Sequence, residues 1–148
     1  MTSESNNYKL SVEMVWTTHY NDWVYSLIRR DQEVVGGDSL DIKVTVTNSG
    51  DRPFNGIIQN LELVEKIENT GMYWQVKSEI LDNLGPGVSK KIIEETIVPI
   101  GEGLLHLGFI IASNDGKTVY IEGRNSNDFH QFLYVVNRLL LQLVGQRK

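Results

Sequence analysis

The stretch that decides the fold is residues 36–56, GGDSLDIKVTVTNSGDRPFNG. Its first half alternates strictly, with the apolar residues Leu40, Ile42, Val44 and Val46 separated by polar ones. Side chains two positions apart lie on the same face of a β-strand, so this pattern predicts a half-buried antiparallel strand. Asn48-Ser49-Gly50-Asp51 then supplies turn-forming residues, which predicts that the chain leaves the sheet there.

The same alternation recurs on both sides of this stretch. It predicts an immunoglobulin-like antiparallel β-sandwich of seven or eight strands between residues 8 and 123, because turn residues separate the strands at fairly even intervals. The predicted strands cover residues 8–16, 23–28, 38–48, 57–67, 72–81, 90–98, 105–111 and 117–122. Asp115-Gly116 predicts a hairpin between the last two. Residues 1–7 are polar and predicted to be disordered.

The pattern changes after Gly123. Residues 125–128 are good helix N-cap residues, and apolar side chains then recur at helical spacing, which predicts a C-terminal α-helix within residues 124–148. A strand over residues 129–136 is the alternative interpretation. The helix is expected to cover the sandwich or to bind a protein partner, including a second copy of the chain, through one apolar stripe. That stripe consists of Phe129, Phe132, Leu133, Val136, Leu139, Leu140 and Leu143.

Composition narrows the class of protein. At 148 residues the chain suits one domain, and its net charge of −5, mixed along the sequence, argues against a nucleic-acid partner. The absence of cysteine excludes disulfides and thiolate metal sites. The N-terminus lacks the pattern of a signal peptide, so a cytoplasmic location is the default. No apolar window is long enough for a membrane span.

Residues with catalytic or metal-binding chemistry form no motif. His19, His106 and His130 are not spaced as local metal ligands, and neither a nucleophile elbow nor a phosphate-binding loop occurs. The sequence therefore predicts a non-enzymatic protein with no cofactor and no metal.

Aromatic residues cluster near the N-terminus at Tyr20, Trp23 and Tyr25. Exposed aromatic rings can stack on sugars, so a carbohydrate-binding module is the alternative function. The same residues could instead line an edge hairpin, with Trp16 packed in the core.

Three stretches together resemble a known family: GDSL at residues 37–40, VTVTNSGD at 44–51 and LGPGVS at 84–89. They are similar to CARDB-type or related NEW-type immunoglobulin-like modules of archaea and bacteria, over about residues 34–122. The resemblance implies a non-catalytic interaction or structural module and a location at the cell envelope or outside the cell. The long aromatic stretch at residues 16–30 and the predicted terminal helix depart from this family.

Overall fold

The described residues form nine strands in two sheets. The computed structural model describes residues 7–19, 33–67, 70–100 and 102–136, with the backbone alone at residues 19, 67 and 70–77. The strands are β1 (Asn7–His19), β2 (Glu33–Val35), β3 (Ser39–Asn48), β4 (Phe54–Ile67), β5 (Thr70–Leu84), β6 (Ser89–Ile97), β7 (Gly103–Ser113), β8 (Thr118–Ile121) and β9 (Asp128–Val136). One sheet has the order β6-β3-β1-β8 and the other β2-β9-β7-β4-β5.

Strand β3 confirms the prediction made from its alternating sequence. It lies inside the four-stranded sheet, antiparallel to both β1 and β6. Its apolar row is buried, with Leu40, Ile42, Val44 and Val46 at most 1% exposed. Burial of this row against the opposite sheet fixes the register, because a slip by one residue would turn the row to solvent.

The hydrophobic core lies between the two sheets and receives side chains from both. Val12, Met14 and Trp16 of β1 pack against it while remaining partly buried. The largest fully buried side chains are Leu10, Leu40 and Ile42 in the four-stranded sheet, and Phe54, Ile58, Leu61, Leu63, Leu81, Leu105, Leu107, Phe109 and Ile111 in the five-stranded sheet.

Asn48 shapes the passage from β3 to β4, which lie in different sheets. Its side-chain Oδ1 accepts a hydrogen bond from the Gly50 amide (2.9 Å), and its Nδ2 donates to the carbonyls of Arg52 and Leu84 (2.8 Å each). One buried amide therefore satisfies backbone groups on the turn and on the end of β5. This confirms that the chain leaves the sheet at Asn48.

The Asp115-Gly116 turn is not a hairpin, so that prediction was wrong. β7 belongs to the five-stranded sheet, whereas β8 pairs in parallel with β1 in the other. The Oδ1 atom of Asp115 accepts hydrogen bonds from the Ser113 hydroxyl (2.7 Å) and the Lys117 amide (3.0 Å). These bonds shape a turn that crosses between sheets. A second parallel pair, β2 with β9, makes both sheets mixed, which corrects the expectation of purely antiparallel pairing.

The prediction of a C-terminal helix was also wrong for the residues that the structure describes. Residues 128–136 form β9, antiparallel to β7, as in the alternative interpretation. Pairing with β7 satisfies the backbone of this segment, and Phe129, Leu133 and Val135 are at most 5% exposed in the core. Long-range packing thus overrides the helical spacing. The sandwich therefore continues past residue 123 to Val136. The predicted strand at residues 23–28 lies outside the described residues.

The hydrogen bonds of the Asp115 carboxylate lead us to expect a loss of stability in acid. The Tyr8 hydroxyl donates to Asp115 Oδ2 (2.6 Å). This hydrogen bond, aided by those from Lys117 and Ser113, lowers the pKa of Asp115 from its usual 3.8 to about 2. A carboxyl group with a lower pKa in the folded state stabilises the fold above the unfolded pKa, and this contribution is lost as the pH falls through the folded pKa.

We therefore expect the stability difference between the wild type and Asp115→Asn to shrink between about pH 4 and pH 2 and to be constant above that window. Urea denaturation of both proteins at a series of pH values measures this difference in the free energy of unfolding. A difference that does not change with pH would contradict the assignment.

Candidate functional site: the outer face of the five-stranded sheet

The solvent-facing side of β7 and β9 is unusually poor in charge. Opposite residues pair as Leu104 with Tyr134, His106 with Phe132, and Gly108 with His130. Phe132 is 45% and Tyr134 51% exposed, and His130 is also exposed. We call these six residues, together with Val64 and Ile110, the outer aromatic face.

The outer side of the other sheet has the opposite character. On β3 the outward residues are Asp41, Lys43, Thr45 and Thr47, and on β1 they are Lys9, Ser11, Glu13, Val15 and Thr17. Val15 is the one apolar side chain among these nine. Antiparallel sheets usually present polar residues to solvent on one side. The four-stranded sheet follows this rule, and the outer aromatic face departs from it.

A histidine pair lies at the centre of the outer aromatic face. His106 Nε2 and His130 Nδ1 are 3.0 Å apart and share a hydrogen bond. The ring centroids are 5.2 Å apart with an interplanar angle of 12°. Because each nitrogen lies about 1.2 Å from its ring centre, this centroid separation places the two nitrogens nearly head-on.

Gly108 makes the close approach of the two rings possible. A Cβ atom at this position would lie 3.0 Å from both His106 Cε1 and His130 Nδ1. The two imidazoles therefore lie directly over the glycine, and a side chain there would push them apart. The Phe132 ring also stacks on His106, with ring centroids 4.6 Å apart and an interplanar angle of 21°.

Burial is the main reason that the pKa of His106 lies below its ordinary value. The neighbouring His130 lowers this pKa further, Glu62 opposes the shift and Lys66 adds to it. The shift favours the neutral imidazole. Arg124 secures the start of β9, because its guanidinium donates to the His130 carbonyl (2.7 Å) and lies 4.5 Å from the Phe129 ring centroid.

The structure separates the residues of the predicted apolar stripe. Phe129 and Leu133 are buried in the core and Phe132 is exposed, while Val136 is half-buried at the end of β9. Leu139, Leu140 and Leu143 lie outside the described residues, as do Tyr20, Trp23 and Tyr25. Partner binding through the stripe and carbohydrate binding through the aromatic cluster therefore stay predictions.

Sequence reasoning missed the histidine pair because its members are 24 residues apart. One signal was nevertheless available. Residues 104–112, LLHLGFIIA, carry no charge at any position, so neither face of this strand has the charged row expected of a solvent-facing side. That pattern would have indicated that the outer side of β7 is apolar.

A second surface feature is an open cleft of about 910 Å³ at one end of the sandwich. Lys9, Asp51, Tyr120, Glu122 and Asn125 contribute to its wall. The parts of the chain that the structure describes contain no cluster of three or more His, Asp or Glu side chains placed to hold a metal ion. Nor do they include a helix able to cross a membrane.

Comparison with solved structures places the chain among immunoglobulin-like β-sandwiches. It is similar to the CARDB domain of a Pyrococcus furiosus protein, described as being in complex with di-metal ions. The TM-score is 0.53 and the identity 15%, over 88% of this chain and 96% of that domain. The resemblance to CARDB modules is thereby confirmed at the level of the fold.

Other similar structures are more distant. The putative ApaA protein from Bordetella pertussis has a TM-score of 0.43 and 13% identity, over 89% of this chain and 97% of that one. A β-glucosidase from Listeria innocua has a TM-score of 0.39 and 13% identity, over 84% of this chain but 16% of the enzyme. No protein-family model matches the sequence, and no curated protein matches it.

Proposed function

We propose that this chain is a non-catalytic assembly module that pairs with a second copy of itself through the outer aromatic face. The observation that carries the proposal is the contrast between the two outer faces of the sandwich. One is polar at all but one of nine outward positions on β1 and β3, whereas the other exposes Phe132 and Tyr134 beside Leu104 and Ile110. Exposed apolar patches of this kind mark interaction surfaces.

The area of the sheet that carries this face suits a symmetric dimer. Its four long strands, β9, β7, β4 and β5, are spaced about 4.8 Å apart, and over about nine residues they span roughly 19 by 30 Å, or about 600 Å² per copy. Specific interfaces bury about 600–1,000 Å² per partner, so a contact that extends from the outer aromatic face across these four strands reaches the lower end of this range. A two-fold axis brings the same patch of both copies together, which is the usual arrangement in homodimers.

The charge of the face also permits self-association. The charged side chains described beside it are Glu62, Lys66 and Asp128, two acidic and one basic, while the whole chain has a net charge of −5. Lys66 of one copy can approach Glu62 or Asp128 of the other. Aromatic side chains at the centre with charges at the edge match the common anatomy of protein interfaces.

Replacing Phe132 and Tyr134 together with glutamate tests the proposal. We expect self-association to weaken by at least about a hundredfold, because a central aromatic residue contributes about 2 kcal/mol or more and each change occurs twice in a symmetric dimer. Sedimentation equilibrium over a concentration series measures this effect.

The matched control is the pair Thr45→Glu and Thr47→Glu on the opposite sheet, which adds the same charge without touching the outer aromatic face. This control should dimerise like the wild type. A wild type that remains monomeric at high concentration, or a dimer unaffected by the Phe132 and Tyr134 changes, would contradict the proposal.

A further inference from the structure

We infer that His106 and His130 form a binding site for a divalent transition-metal ion that accepts nitrogen ligands in adjacent coordination positions, such as Ni²⁺ or Cu²⁺. Both ligands come from one chain, and the ion would occupy the face proposed as the dimer interface, so the inference concerns the monomer and stands whether or not the chain also dimerises. It rests on the separation of the two nitrogens, on the glycine beneath them and on the carboxylate beside them.

The separation of the nitrogens already suits chelation. Metal–nitrogen bonds of about 2.0–2.1 Å with an angle of about 90–109° at the metal place two donor atoms about 2.9–3.4 Å apart. His106 Nε2 and His130 Nδ1 are 3.0 Å apart. This distance lies within the range, near the end that corresponds to the 90° angles of square-planar or tetragonal Cu²⁺ and Ni²⁺ sites.

Binding requires a small rearrangement of the rings. The facing nitrogens now share one proton, so the donor ring must move its proton to its other nitrogen and both rings must tilt toward solvent. No net proton is lost from the pair in this step. The cost is one hydrogen bond between neutral groups, which is small beside the energy of metal–ligand bonds.

The surroundings limit how far the rings need to move. Gly108 lets both rings pack closely against the backbone of β7. A Cβ atom at this position would be 3.0 Å from His130 Nδ1 and 3.1 Å from His106 Nε2. Phe132 stacks on the ring of His106 and restricts its rotation. Such support of ligand orientation is typical of metal sites.

Glu62 is the candidate for a third ligand. It is the β4 partner of Gly108, as His130 is the β9 partner of the same residue, so the three side chains surround one point of the sheet. Among the described residues no three such groups already converge closely enough to hold an ion. The two nitrogens therefore define the site, and Glu62 and water complete the coordination.

Calorimetric titration of the full chain with Ni²⁺ at neutral pH, at protein concentrations at which sedimentation shows a monomer, tests the inference. We expect saturation at one ion per chain, and a loss of affinity of about 10–100-fold in His130→Ala and in His106→Gln, which retains a side chain of similar size. Gly108→Ala should also weaken binding, because its Cβ pushes the rings apart. Glu62→Gln should weaken it less than loss of a histidine.

His19→Ala is the matched control, because it removes the remaining histidine of the sequence and leaves the pair intact. Near-ultraviolet circular dichroism checks that each variant is folded. Electron paramagnetic resonance with Cu²⁺ should show coupling to two nitrogens in the wild type and in His19→Ala. Absence of saturable Ni²⁺ binding, or binding that survives His130→Ala unchanged, would overturn the inference.

Discussion

Replacing Phe54 with alanine is expected to lower the free energy of unfolding by about 3–5 kcal/mol, the usual cost of deleting a fully buried aromatic ring. Phe54 is 0% exposed at the start of β4. The Tyr8 ring packs edge-on against it with centroids 5.1 Å apart. Gly56 leaves room for the ring, because a Cβ there would lie 2.5 Å from Phe54 Cζ. The truncation therefore opens a cavity where β1 and β4 meet.

Urea denaturation followed by tryptophan fluorescence measures the Phe54 effect. Phe54→Leu should show a smaller loss, since it fills part of the cavity. Val88→Ala serves as the exposed control, because Val88 is 50% exposed and its truncation should change stability by about 0.5 kcal/mol or less. A Phe54→Ala protein as stable as the Val88→Ala protein would show that the ring is not part of the core.

Asn48→Ala is the second substitution with a large expected effect, a loss of about 3 kcal/mol. Asn48 is 2% exposed, and its side chain makes hydrogen bonds to Gly50, Arg52 and Leu84. Each buried backbone group that loses its partner costs about 1–3 kcal/mol unless water replaces that partner. We expect the turn between β3 and β4 to become less stable, because it also loses its hydrogen bond to the end of β5.

Asn55→Ala provides the comparison for Asn48. Its side-chain oxygen accepts one hydrogen bond from the Asn83 amide (2.7 Å) at an exposed position. Water can replace that bond, so we expect a loss of about 1 kcal/mol or less. Equal losses at Asn48 and Asn55 would contradict the role assigned to Asn48. Amide hydrogen exchange should show faster opening near residues 49–53 in Asn48→Ala than in Asn55→Ala.

The alternation along β3 and the turn at Asn48 were predictable because both depend on neighbouring residues. A period of two identifies the buried row, and the run Asn48-Ser49-Gly50-Asp51 identifies a turn. The Asp115 turn was predicted as a turn but not as a crossing. Its direction depends on Tyr8, which is 107 residues away in the sequence.

The segment at residues 128–136 shows why helical spacing alone is insufficient. Phe129 and Leu133, four residues apart, suit one side of a helix, and as positions i and i+4 they also lie on one face of a strand. The decisive partner is β7, and its pairing with β9 cannot be read from either segment alone. The histidine pair was missed for the same reason, because this pairing creates it.

Interspin distances in a labelled protein test most directly whether the outer aromatic face is the dimer interface. The chain has no cysteine, so Thr45→Cys on the four-stranded sheet gives a single site for a nitroxide label. A dimer formed through the five-stranded sheets stacks four sheets about 10 Å apart, which predicts a label separation of about 30 Å or more. A separation below about 20 Å, or no dipolar coupling at any protein concentration, would contradict it.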